Sequence, residues 1–248
     1  MRRRDILGTD VAITDYEEVL DVFDTAIEQR RKIFVCCAPA SSLVFARRDP
    51  ELRRAYENAE IVTPDGKGVV LAARWLGEQI DDRVYGPDLM RMQLGRSAVS
   101  GQSVWLYGGF DAASLRELES VLVKDHPGLR IAGSWSPPHR ELTRSENDEL
   151  VARINRDEPD IVWVGLGSPR QEIWMHQFRS RLDVPVLCGV GAAFDFAIGR
   201  VDQAPSWIQR AGLEWLFRLS KDPKRLLRRY VTTLPAFVLL VLAQRLRG

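Results

Sequence analysis

The most constraining feature of the chain is a set of short, wholly apolar runs that end in glycine and alternate with segments of helical period. Asp160 to Gly167 (DIVWVGLG) and Val184 to Gly191 (VPVLCGVG) are the clearest. A strand with one wet face alternates apolar and polar residues, so an uninterrupted apolar run of this length belongs to a strand covered on both faces. KIFVCC (Lys32 to Cys37), EIVTPDG, SVWLYGG and LRIAGSW add further strands. The intervening helical stretches run to Ala59 with a break at Asp49-Pro50, from Lys67 to Leu76, from Asp111 onward, and from the capping pattern Thr143-x-x-Glu146. Repeated strand–helix alternation predicts an α/β fold: a Rossmann-like, open, mostly parallel sheet sandwiched by helices, with a C-terminal helical appendage.

The 248 residues, 45% apolar and 28% charged, suffice for one such domain and exclude disorder and collagen-like repeats. Charge divides the chain. Of 35 Lys+Arg and 34 Asp+Glu, 8 and 1 fall after Phe217, leaving residues 1–217 at −6 and residues 218–248 at +7. The reading is a domain over 1–217 and a basic appendage over 218–248. Such a tail meets an anionic partner, phosphate or lipid, or is a solvated helix face. Leu226, Leu227, Tyr230 and Val231 share one side of a helical wheel opposite Lys221, Lys224, Arg225, Arg228 and Arg229. The following apolar stretch, Leu234 to Ala243, falls short of the ~18 residues of a spanning helix but is long enough to lie in a membrane interface; the alternative is a helical hairpin packed on the body or on a second subunit. Met1 to Asp10 lacks the apolar core of a secretory signal. Cys36, Cys37 and Cys188 sit in apolar runs and form no C-x-x-C pair, as expected of buried thiols in a reducing compartment.

In open parallel sheets ligands bind where the strands end, which selects the loops Ala38–Ser42, Thr63–Gly68, Gly108–Asp111, Gly165–Glu172 and Gly189–Asp195. Asp65 in TPDGKG stands at a strand end, either as turn chemistry or as a general base. In GLGSPRQEIW, Gly165 and Gly167 open the backbone, Ser168 is placed to cap and Pro169 to start a helix, with Arg170, Gln171 and Glu172 in its first turn. This is either an anion-binding loop or a well-capped helix. No G-x-G-x-x-G follows the first strand, and no P-loop or G-x-S-x-G elbow occurs. His126, His139 and His176 are scattered without carboxylates at metal spacing, so no metal or cofactor is expected; His139 is a loop residue that is either exposed or pocket-lining.

The order of motifs resembles the WecG/TagA/CpsF family of bacterial glycosyltransferases along nearly the whole chain. The resemblance runs through Ile6–Thr14, Ala46–Val70, RVYGPDLM (Arg83–Met90), LYGG, GLGSPRQEIW and Gly189–Tyr230. It implies an inverting, metal-independent transferase. Such an enzyme moves an N-acetylmannosamine-type sugar from a UDP-sugar donor to a polyprenyl-diphosphate-linked acceptor in surface polysaccharide synthesis. By matching position it implies Asp65 as base, Arg83, Gln171 and Asp195 as ligand contacts, and Arg218, Arg225 and Arg228 near the diphosphate; Gly165, Gly167 and Glu172 complete the expected binding set. Expected partners are the UDP-sugar, the lipid-linked acceptor and an anionic membrane surface, with a homo-oligomer open and no nucleic acid. The expected location is cytoplasmic, peripheral on the inner face of the cell membrane. The chain departs from the family pattern where Cys37 and Pro39 replace a Thr-x-Asn and where Gln203 replaces the arginine of Arg-Ala-Pro. These departures leave a non-catalytic sugar-nucleotide-binding subunit as one alternative; an oxidoreductase on the same scaffold is another, disfavoured by the missing glycine fingerprint.

Overall fold

A computed structural model describes residues 1–247, apart from the side chains of Arg225 and Arg229. Strands β1 (Arg2–Ile6) and β2 (Thr9–Ile13) form an antiparallel hairpin. There follow α1 (Tyr16–Glu28), β3 (Ile33–Ala38), α2 (Ala40–Ala46), α3 (Pro50–Asn58), β4 (Ile61–Pro64), α4 (Lys67–Trp75), α5 (Gly86–Ser100) and β5 (Ser103–Gly108). The chain continues through α6 (Ala112–Asp125), β6 (Arg130–Trp135), α7 (Arg144–Asp157), β7 (Ile161–Gly165), α8 (Arg170–Phe178) and β8 (Val186–Gly189). It ends in α9 (Ala193–Ala197), α10 (Ser206–Arg210), α11 (Glu214–Lys221) and α12 (Pro223–Arg247).

Six strands make one sheet in the order β4-β3-β8-β7-β5-β6, every pair parallel. Side-chain alternation shows why the apolar runs are continuous. Phe34 and Cys36 of β3 and Val162 and Val164 of β7 enter a core with α2, α3, α4, α7 and α8. Their neighbours Ile33, Val35, Ile161 and Trp163 enter a second core with α1, α5 and α6 on the opposite face. The predicted sandwich is present. Asp49 caps α3 ahead of Pro50, and reciprocal capping boxes start α6 at Asp111 and α7 at Thr143, satisfying backbone N–H groups that a helix start leaves open.

Three expectations and one alternative, the C-terminal hairpin, change. Ser168 does not cap α8: its hydroxyl lies 3.0 Å from that of buried Ser42, and Pro169 occupies the cap position, one residue before the helix. The tail is not a hairpin. It is α11 followed by one long helix that runs through Pro235. Leu226–Arg247, with a mean hydropathy of 1.6 over its most apolar 18 residues, is long and apolar enough to cross a membrane by length and composition. Counting consecutive apolar residues missed this because Arg228, Arg229, Thr232 and Thr233 break the run ahead of Leu234, although the helix remains apolar on average. Nor do the wheel residues act as one face, for Leu226 is buried while Leu227 and Val231 are exposed. Further along, Phe237 and Val241 insert into the first core, and Gln244 donates to the Asp5 carbonyl and accepts from the Leu7 amide, both at 2.9 Å.

The sheet narrows at its carboxyl edge between β5 and β7, where Gly108 has φ +133° and a Cβ there would sit 2.6 Å from the Gly165 carbonyl group. Gly108→Ala combines backbone strain with a clash against main chain. It is expected to cost about 2 kcal/mol or more in urea unfolding, whereas Gly77→Ala, with positive φ but open space, should cost only the strain.

Candidate active site

Asp65 is placed by the end of β4. Its N–H donates to the Ala38 carbonyl at 3.2 Å, extending the β3–β4 ladder by one bond, and Gly66 at φ +114° turns the chain into α4. The Thr63 hydroxyl donates to the Val84 carbonyl (3.1 Å) and the Val84 N–H to the Pro64 carbonyl (3.2 Å), which straps Arg83–Tyr85 across the same strand end. The Tyr85 N–H donates to the Tyr16 hydroxyl oxygen at 3.1 Å.

Arg83 is buried and fully engaged. Nη1 donates to Glu214 Oε2 at 2.6 Å, Nη2 to Gln209 Oε1 at 2.7 Å, and the guanidinium lies 4.1 Å from the Tyr85 ring centre. Gln209 itself donates to the Ala204 carbonyl at 2.7 Å. Glu214, also buried, sits in the first turn of α11, where a carboxylate complements the helix dipole. One turn later the Arg218 guanidinium lies 5.7 Å from the ring centre of Phe196 on α9. Burial lifts the Asp65 carboxyl to about 7; the Glu214 charge adds to the lift, while Arg83 and Arg218 oppose it. Asp88, in the first turn of α5, is also raised by burial against the pull of Arg91 and Arg83.

The glycine loops have a different task from simple ligand approach. A Cβ on Gly165 would stand 2.7 Å from the Phe194 ring, so this glycine makes room for α9. Gln171 Oε1 accepts from the Gly167 N–H (3.2 Å) and the Gly191 N–H (3.0 Å), tying the loops after β7 and β8 together, and Nε2 donates to Glu172 Oε1 at 3.0 Å. Glu172 is fully buried, and its charge acts on Cys36 and Tyr56 in the first core, both of which are raised chiefly by burial. It therefore stands behind the loop. Asp195 lies 4.0 Å from Arg200, whose guanidinium covers the Phe110 ring at 3.4 Å, and His139 packs on Phe110 at 5.3 Å. Cys37 is buried beside Gly86, and Pro39 precedes α2. Arg228 is exposed on α12, and the Arg225 side chain lies outside the described residues.

The structure thus brings Asp65, Arg83 and Arg218 into one electrostatic group, clusters Gln171, Glu172, Gly165 and Gly167 at the neighbouring loops, and sets Asp195 beside Arg200. Glu214, Gln209, Tyr16 and Asp88 were not legible as site residues beforehand. The available signal was Glu214 itself, a carboxylate next to a strongly basic tail. Among the described residues no group of three or more His, Cys, Asp or Glu is disposed to hold a metal ion.

The sequence profile described as the glycosyl transferase WecG/TagA/CpsF family matches residues 4–248. The chain belongs to this family. Among curated relatives, the N-acetylglucosaminyldiphosphoundecaprenol N-acetyl-beta-D-mannosaminyltransferase of Bacillus spizizenii is 31% identical over 88% of this chain and 82% of its own. The protein of the same name from Staphylococcus aureus strain MW2 is 26% identical over 94% and 90%. The matched span carries this WecG/TagA/CpsF glycosyltransferase from its N-terminal hairpin through the tail helix.

The Arg83–Glu214 pair yields a stability prediction. Arg83→Met leaves a carboxylate buried without its partner and is expected to lower the unfolding free energy by about 3–5 kcal/mol in urea titration, while adding Glu214→Leu should recover much of the loss.

Proposed function

We propose that this chain transfers an N-acetylmannosamine-type sugar from a UDP-sugar to a polyprenyl-diphosphate-linked acceptor, with inversion and without a metal ion, on the cytoplasmic face of the cell membrane. The observation that carries the reading is the Asp65 carboxyl at the strand end, held at about 7 in reach of cationic groups. The names of the relatives, which specify a diphosphoundecaprenol-linked acceptor and a mannosaminyl group, supply the substrate class.

In this scheme ionised Asp65 takes the proton from the acceptor hydroxyl as its oxygen bonds to the anomeric carbon. The bond between that carbon and the UDP oxygen breaks on the opposite side, and the leaving diphosphate carries away the electron pair. Arg218, with Arg225 and Arg228 of the tail, answers the charge that develops there. Gln171 acts by holding the loops after β7 and β8 in register. The exposed apolar part of α12 brings the tail to the membrane where the acceptor resides.

Asp65→Asn is expected to lower turnover by about 10²–10⁴-fold while UDP affinity changes only a few-fold; near-normal turnover would refute the assignment. In the unsubstituted enzyme kcat/KM should rise with pH through a midpoint near 7, as Asp65 ionises. The linkage runs the opposite way for stability. The folded carboxyl binds its proton more tightly than the unfolded one, so stability is lost as pH rises from about 4 to about 7. Asp65→Asn should therefore be the more thermostable protein, with an advantage that grows across that interval and levels off above it. Excess EDTA should leave turnover unchanged, and restoration of EDTA-abolished activity by Mg²⁺ or Mn²⁺ would overturn the metal-free scheme.

A further inference from the structure

Helix α4 begins two residues after Asp65 and buries one face: Val69, Val70, Ala72 and Ala73 join the first core. Its other face does not fit a water-facing role. Leu71 and Trp75, one turn apart, are 61% and 56% exposed. Beyond its end, Glu78 pairs with Arg2 and Arg4 of the hairpin, so α4 spans from the crevice to β1. Helix α12 makes the same journey. It starts just after α11, which carries Glu214 and Arg218, and its Gln244 bonds to Asp5 and Leu7 at the hairpin. Between them lies α2, whose Ala40 faces Gly68 of α4 and whose Leu43 and Val44 share a core with Phe237 and Val241 of α12. The outward residues of α12 are again apolar, with Val238 56% and Leu239 66% exposed.

Charge decides what such a face fits. None of α2, α4 and α12 contains an Asp or Glu, although the chain has 34 of them; α4 carries Arg74 and a Lys67 already paired with Asp82 at 2.7 Å, and α12 carries Lys224, Arg228, Arg245 and Arg247 among its cations. Pairing this face with a second copy would oppose cation to cation with no carboxylate on these helices to answer. An anionic bilayer supplies both an apolar phase for the leucines and tryptophan and negative headgroups for the cations.

We propose that α4 is a second membrane-contacting limb of the body, so that the chain docks on an anionic bilayer through α4 and α12 together. The inference rests on the membrane-docking reading above and adds to it a surface outside the tail. Because Phe237, Val241 and Gln244 hold α12 to the body, α4 and α12 meet the bilayer on either side of α2, with Asp65 just before the start of α4. Docking then orients the base toward the lipid surface instead of only tethering the protein near it.

The test is co-sedimentation of the full chain with vesicles of phosphatidylglycerol and phosphatidylcholine, and with phosphatidylcholine alone. Leu71→Ser with Trp75→Ser should lower partition onto the anionic vesicles about tenfold or more, leaving melting temperature and turnover on a water-soluble acceptor unchanged. Val99→Ser, which removes a 91% exposed apolar residue from α5 on the opposite face of the sheet, should change nothing. A second readout uses brominated lipid, whose quenching of tryptophan emission should fall in Trp75→Phe relative to the parent chain. If the parent chain ignores anionic vesicles, the membrane reading fails and this inference with it. If the parent chain binds and the double variant binds equally well with undiminished quenching in Trp75→Phe, only the role of α4 fails. A double variant that loses self-association in sedimentation velocity, with lipid partition unchanged, assigns the face to a second copy and also overturns the proposal.

Discussion

The buried ion pair between Arg83 and Glu214 is the contact on which the site depends. Two charges removed from water lose hydration worth several kcal/mol each, and proximity alone does not restore it. Here the guanidinium fork is used in full: one arm meets Glu214, the other meets Gln209, and the Tyr85 ring covers its face. Both partners of the arginine lie beyond Ala204, whereas Arg83 is strapped to the end of β4. The pair therefore fixes where the last helices leave the body. It also sets the charge balance at Asp65, which feels Glu214 and Arg83 with opposite sign.

That balance explains why a carboxylate can be poised near neutrality without an isolated apolar pocket. Burial raises Asp65, and a second carboxylate raises it further, but two arginines hold the value near 7. A lone Asp-Gly turn carries none of this information, because the partners lie 18, 149 and 153 positions further along the chain at Arg83, Glu214 and Arg218. Local pattern gave the strands of the parallel sheet, the break before α3, the start of α6 at Asp111, the capping box of α7, and the loops at the carboxyl edge. It did not give Glu214, whose role exists only after α11 folds back onto β4, nor the β1–β2 hairpin, whose turn puts Leu7 at φ 58° where turn rules favour glycine or asparagine.

The glycines of the carboxyl-edge loops have a packing reason of their own. Open backbone after a buried strand suggests approach by a ligand, yet Gly108 is required by the Gly165 main chain and Gly165 by the Phe194 ring. Gln171 was visible as a polar residue in the first turn of a helix; its amide oxygen is occupied by two backbone N–H groups from different loops. A periodic or motif-based reading identifies such positions because they are constrained. Whether the constraint is a ligand or a neighbouring loop depends on distances between segments that adjoin only in the folded sheet.

The division of charge along the chain has a structural counterpart. Carboxylates are absent from α2, α4 and α12, and they are dense on α1, where Glu17, Asp21 and Asp24 surround Arg96 of α5. The contrast is between particular helices and not whole layers: α3 and α7, on the same face as α2 and α4, carry Glu51, Glu57, Glu146, Asp148, Glu149 and Asp157, whereas the α2, α4 and α12 surface presents apolar residues among cations. Folding does not require such a difference between helices, since both cores are apolar. The acid-free surface starts two residues after Asp65, where Lys67 opens α4, and it is this surface, not the whole layer, on which the proposed docking to an anionic bilayer draws.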